Sequence, residues 1–223
     1  MKPTTTLARA VTPDGQALVL QEHDGHFFMK VGGVPLMSTS AAASEQMMAD
    51  LACGSLPARA RVLIGGLGFG FTLRRVLELC PADGSVEVAE LLQVVVDWNR
   101  DFLGEINGHL LDDPRVEVRV RDVSELLDRA GEGRYDAILL DVDNSPDPLV
   151  QQGNAGLYDR GGIGRVRAAL SPGGCVVYWS ANEDAAFARE LGRVFGGRVE
   201  CIGAKAYPKA KRFTHTLFVA RRD

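Results

Sequence analysis

From residue 61 onward the chain switches its hydrophobic period repeatedly, and that alternation limits the folds open to it. Strand-sized apolar runs near 61–65, 85–90, 115–121, 135–141 and 174–180 are separated by helical spacings near 71–80, 91–101, 123–130, 158–170 and 183–195. Continuous apolar strands joined by helical crossovers bury both sheet faces, so the pattern predicts an α/β fold with a mostly parallel sheet between helices. The last stretch, "RVECIGAKAYPKAKRFTHTLFVARR", holds two strand-like runs around a Lys-rich turn, which predicts an antiparallel hairpin at the sheet edge. Residues 16 to 38 alternate apolar and polar and break at Asp24-Gly25 and Gly32-Gly33, as two or three short antiparallel strands do. A helix over "STSAAASEQMMADLAC", capped by Ser40 or Ser44, leads into the rest. The expected division is a β-rich segment with its lead-in helix over 1–55 and a nucleotide-binding domain over 56–223.

Composition matters mainly for what it removes. With 46% hydrophobic and 24% charged residues, the 223-residue chain can build a buried core, which argues against disorder. No apolar run approaches the ~20 residues of a membrane span, and "MKPTTTLARAVTPDG" carries no apolar signal core. No membrane partner and a cytoplasmic location are therefore expected. A net charge of −4 supplies no basic field, so no nucleic-acid partner is expected either. Cys53, Cys80, Cys175 and Cys201 lack paired spacing and read as small core residues, while His23, His26, His109 and His215 are dispersed; no metal site is expected.

The segment "RVLIGGLGFGFTLRRVLELC" passes from a strand through Gly65, Gly66, Gly68 and Gly70 straight into a helix. Backbone N–H groups with no Cβ in the way, at the positive end of a helix, suit an anionic or flat ligand such as a nucleotide. The spacing is GxGxG, and Phe71 stands where the dinucleotide fingerprint GxGxxG needs its last glycine. That disfavours an NAD-type oxidoreductase. The absence of GK[ST] also excludes a Walker loop. Glu90 closes the strand "SVEVAE" about twenty residues later, the place from which a carboxylate accepts ribose hydroxyls; Glu87, inside the strand, is a poorer candidate. Asp122 ends "RVEVRVRD" and opens a helix, as an N-cap, a ligand contact or both.

The stretches "VLIGGLGFGFTLRRVLE", "VEVAELLQVVVDWNR", "YDAILLDVDNSPDP" and "LYDRGGIGRVRAALSPGGCVVYWS" resemble, in order, the spermidine synthase group of the class I S-adenosylmethionine-dependent methyltransferase superfamily. The resemblance runs over roughly residues 60 to 221 and includes the short β-rich N-terminal segment. It implies a Rossmann-like fold and a donor that is S-adenosylmethionine or its decarboxylated form. By the same resemblance the glycine loop packs on the donor's amino-acid or aminopropyl side, Glu90 binds the ribose and Asp122 contacts the adenine amino group. The catalytic carboxylate corresponds to Asp141, with Asp143 or Asp147 as the second acid.

Two departures qualify the implied activity. Polyamine-forming members carry GGGDGG in the first loop, and the position of its acid is Phe69 here; of their Tyr-His-Glu, the stretch Ala43-Ser44-Glu45 keeps only the Glu. Burying an ammonium without a counter-ion is costly, so weak or absent putrescine aminopropylation is expected. The leading expectation is a transferase passing an aminopropyl or methyl group to a small nucleophilic acceptor, with amines among the candidates and a homodimer as an allowed assembly. The alternative is a nucleotide-binding regulatory or structural protein that has lost catalysis. The cluster Lys205, Lys209, Lys211 and Arg212 reads as a solvated turn, and would suit an anionic acceptor only if it bordered the site.

Overall fold

The computed structural model describes residues 3–142, 155–197, 199–207 and 209–223. Four strands, β1 (Thr5–Val11), β2 (Ala17–His23), β3 (His26–Val31) and β4 (Val34–Ser38), form an antiparallel meander. The meander has one strand more than the upper expectation, because "TTLARAV" pairs antiparallel with β2. Helix α1 (Ala43–Cys53) follows. Its N-cap is Ala42 rather than a serine; Ala43 N–H donates to Ala206 O at 3.1 Å, so a distant carbonyl takes one of the helix's free N–H groups. Ser44 lies inside the helix, where its hydroxyl donates to Glu45 Oε2 at 2.6 Å.

The second sheet is built from β5 (Arg61–Gly65), β6 (Ser85–Glu90), β7 (Val116–Val120), β8 (Tyr135–Leu140), β9 (Leu170–Ser180), β10 (Val199–Ala204) and β11 (His215–Arg221). Its order is β10-β11-β9-β8-β5-β6-β7, parallel from β7 through β9 and antiparallel where β11 meets β9 and β10. This is the expected α/β, Rossmann-like sheet with a C-terminal antiparallel hairpin. The crossovers are α2 (Phe71–Leu79), α3 (Gln93–Asp101), the single turn α4 (Gly104–Asn107), α5 (Val123–Arg129), α6 (Ala155–Tyr158), α7 (Arg160–Ala169) and α8 (Ala185–Phe195).

Strand residues divide by parity between two cores, as a pleat requires. Val62, Ile64, Ala137, Leu139 and Val177 join α1, α2 and α3 on one face. Leu63, Ile138, Leu140, Val176 and Tyr178 join α5, α7 and α8 on the other. Every second residue of an apolar run thus serves a different helical layer, and leucine, isoleucine and valine fill both. The first core also takes Leu18, Leu20, Met29 and Val31 from the meander. Of the four cysteines, Cys53, Cys80 and Cys175 are buried as expected, but Cys201 is exposed because β10 is the edge strand.

In the second core, Phe187 packs edge-on against Tyr158, Tyr178 and Phe218 at centroid separations of 5.3, 5.0 and 5.1 Å. Truncating a buried aromatic costs about 3–5 kcal/mol. Phe187→Ala should therefore lower Tm by roughly 10 °C in a chain of this size. A thermal melt followed by circular dichroism checks this.

Candidate active site

In parallel pairing, Gly65 lies opposite both Ala89 and Leu140, and Glu90 lies opposite Val120. The glycine loop, Glu90, Asp122 and Asp141 therefore all emerge at one edge, the carboxyl ends of β5 to β8. The chain order reverses between β5 and β8, and open α/β sheets form a crevice at such a point.

The loop is shaped by backbone crowding. Gly66 has φ +93°, and a Cβ there would sit 2.3 Å from Asp141 O, so β5 and β8 approach too closely for any side chain. Gly65, whose Cβ would meet Leu140 Cδ2 at 2.9 Å, is a packing glycine. Gly68 and Gly70 also have positive φ, +52° and +82°. A Cβ on Gly68 would meet only the Met37 side chain at 3.4 Å, because β4 brings that methionine to the loop. Gly70 forms the left-handed N-cap of α2.

Two residues that sequence reasoning missed hold this loop from behind. Asn99 Nδ2 donates to Gly68 O at 2.9 Å, and Asn107 Nδ2 donates to Phe69 O at 3.4 Å and to Asn99 Oδ1 at 3.1 Å. Both asparagines are buried. Their only sequence signal is a polar residue on a helical face that is otherwise apolar. Phe69, at the position of the resembling family's donor-binding acid, is 4% exposed and belongs to the core.

Glu90 is 8% exposed. Its Oε2 accepts from Leu67 N–H at 3.0 Å and its Oε1 from Leu92 N–H at 2.9 Å. Burial pushes this carboxyl up, and the backbone N–H groups oppose the shift by favouring the charged form. Asp122 caps α5: its Oδ1 accepts from Ser124 N–H at 2.8 Å and from Ser124 Oγ–H at 2.7 Å. Glu87 accepts from Tyr135 O–H at 2.7 Å within the sheet.

At the end of β8, Asp141 is half-buried next to Glu45 of α1. Desolvation first, and the Glu45 charge second, push the Asp141 carboxyl up to about 8. Glu45 is raised as well, by desolvation, against the opposing effect of the Ser44 hydroxyl. Among the described residues no basic side chain forms an ion pair with either acid. Asp143 and Asp147 lie outside the described residues. The described residues contain no group of three or more His, Cys, Asp or Glu able to hold a metal.

Two outcomes are expected. Glu90→Ala leaves two buried N–H groups without acceptors, each worth about 1–3 kcal/mol, so Tm falls, and Glu90→Gln, which keeps one acceptor, falls less. Asp141 carries a sign that can be worked out. A carboxyl raised in the folded chain stabilises folding while protonated, and that contribution is lost as pH rises from 3.8 towards about 8. Asp141→Asn should thus exceed wild type in Tm by more at pH 8 than at pH 5; melts at the two pH values check it.

Known proteins bear on this site. The model of the spermine/spermidine synthase domain matches residues 41–192. Putrescine N-methyltransferase 1 of Nicotiana tabacum is 36% identical over 131 residues, which is 59% of this chain and 33% of that protein. Spermine synthase of Arabidopsis thaliana is 29% identical over 143 residues, 64% of this chain and 38% of that one. The matched region thus spans about a third of the length of these curated relatives. Among solved structures, a spermidine synthase in complex with the transition-state analogue AdoDATO superposes with a TM-score of 0.79 at 20% identity, covering 98% of this chain and 74% of that one. Spermidine synthase from Thermotoga maritima gives a TM-score of 0.73 at 21% identity, covering 98% and 73%. At these identities the structures establish a shared fold, whereas the domain match extends over most of the chain, from α1 to α8: the protein belongs to the spermine/spermidine synthase domain family.

Proposed function

We propose that the chain transfers a methyl group from S-adenosylmethionine to a small amine. The observation that carries this reading is the desolvated Glu45–Asp141 pair, two carboxylates with no cationic side chain paired to them among the described residues, an unfinished ion cluster that an ammonium or sulfonium would complete. The glycine loop and Glu90 suit a nucleoside beside it. Each Glu90 oxygen has a second lone pair left after its bond to a backbone N–H, so the residue can brace the loop and accept from ribose hydroxyls. Asp122 retains acceptor capacity in the same way and faces the same edge of the sheet.

The relatives include enzymes named putrescine N-methyltransferase and spermine synthase, and Phe69 is what favours methyl over aminopropyl transfer here. A decarboxylated donor ends in a bare ammonium, whereas S-adenosylmethionine carries its own carboxylate beside the ammonium. With a buried phenyl ring in place of an acid, the zwitterionic tail is the less costly of the two. In the transfer, the amine lone pair forms the N–C bond while the C–S bond breaks and its electron pair returns to sulfur. The cation becomes a neutral thioether, and the amine's proton passes to Asp141, which the bound cation holds ionised by offsetting the desolvation and the Glu45 charge that otherwise raise it.

Calorimetry with the two donors tests the reading. Wild type should bind S-adenosylmethionine more tightly than the decarboxylated form, and Phe69→Asp should shift the ratio towards the latter. A wild-type preference for the decarboxylated donor would overturn methyl transfer, and no binding of either would overturn the donor assignment.

A further inference from the structure

Resting on the amine reading above, we infer that the acceptor carries an anionic group at the end remote from its reacting amine. The feature that points to it is the turn between β10 and β11. Ala204 pairs with His215, Thr216 with Ser180, and Tyr178 with Leu140. This register brings the turn out at the same sheet edge as Asp141, which follows Leu140 directly. The bond from Ala43 N–H to Ala206 O then fastens the turn to the first turn of α1, two residues from Glu45.

The turn has an unusual charge for this chain. Lys205, Lys209, Lys211 and Arg212 gather there although the whole protein has a net charge of −4. Lys209, Lys211 and Arg212 are exposed, and none of the four forms an ion pair with a described residue; Lys205 instead lies 5.7 Å from the Phe213 ring centroid. Many arginines elsewhere are paired, as Arg75 is with Asp50 and Glu78, and Arg115 with Asp113. Two desolvated acids, Glu45 and Asp141, and an exposed basic turn thus share one sheet edge. A diamine seated on Glu45 and Asp141 would send its second ammonium towards like charge, whereas an amine with a distal carboxylate or phosphate is attracted at both ends.

Binding to the full chain, measured by calorimetry with methylthioadenosine present, tests the inference. The probes are length-matched: putrescine against 4-aminobutanoate, and 1,6-diaminohexane against 6-aminohexanoate, with O-phosphoethanolamine to tell phosphate from carboxylate. At least one anionic probe should bind about tenfold more tightly than the diamines, and added salt should shrink that margin because the bases are exposed. The combined variant Lys209→Glu, Lys211→Glu and Arg212→Glu should remove the margin while its Tm and methylthioadenosine affinity stay at wild-type values; the single change Lys211→Glu should reduce it in part. Diamines binding as tightly as the amino acids, or a margin unaffected by both variants, would overturn the inference and leave the donor assignment standing. Tight binding of a single-stranded oligonucleotide, lost in the variants, with no preference among small amines, would overturn it in favour of a polyanion. Failure to bind methylthioadenosine or any amine would overturn the donor assignment and the inference together.

Discussion

One buried carboxylate, that of Glu90, joins the two halves of the crevice. A charge at that depth is costly, and it is tolerated because both oxygens receive backbone N–H groups, one from the loop after β5 and one from the start of α3. The loop in turn is fixed from behind by Asn99 and Asn107, which take two of its carbonyls. The peptides of residues 67 to 69 are thus held on the N–H side and the carbonyl side at once. A loop held on both sides in this way has little ordering entropy left to lose on binding a ligand.

The same residues show why some of this was legible in the sequence and some was not. The parallel sheet was readable because Val62, Leu63 and Ile64 are all apolar, which only burial on both faces explains, and the helices between such runs fixed the direction of each crossover. Gly66, Glu90 and Asp141 were readable as strand-end residues, and the register places all of them at one edge. Strand β1 escaped because "TTLARAV" has small and polar residues where a strand signal needs bulk. The capping of α1 escaped because the acceptor, Ala206 O, is a backbone atom far along the chain, and no side-chain pattern encodes it. Asn99 and Asn107 escaped for a related reason: a single polar residue in a helix looks alike whether it faces solvent or a loop carbonyl. The juxtaposition of Glu45 with Asp141 depends on how α1 lies across β8 and β9, which is tertiary information.

Electrostatically the crevice brings together two acids whose unfavourable burial a bound cation would relieve. Glu45 and Asp141 repel each other and are poorly hydrated, so the empty site binds protons that a cation would displace. Phe69 adds no charge to the loop, and Glu45 of α1 and Asp141 at the end of β8 make their part of the crevice negative. Under the proposed function specificity would be divided: the loop and Glu90 would serve the nucleoside, and the elements that converge on Ala43 and Ala206 the acceptor. Changes on α1 or the β10–β11 turn can then alter the acceptor without disturbing the donor.

Strand β11 lies between β9 and β10, although it follows both in the chain. During synthesis β9 therefore emerges with one edge bare and waits through α8 and β10 for the strand that will cover it. β10 has no sheet partner until β11 arrives, and Phe218, Leu217 and Val219 are missing from both cores until then. The growing chain is thus a partly open sheet with an apolar edge, the kind of surface that other strands or chaperones engage. Closure is a late, single event, and because the turn that grips α1 lies between β10 and β11, the end of the crevice beside Glu45 takes shape only when the sheet is complete.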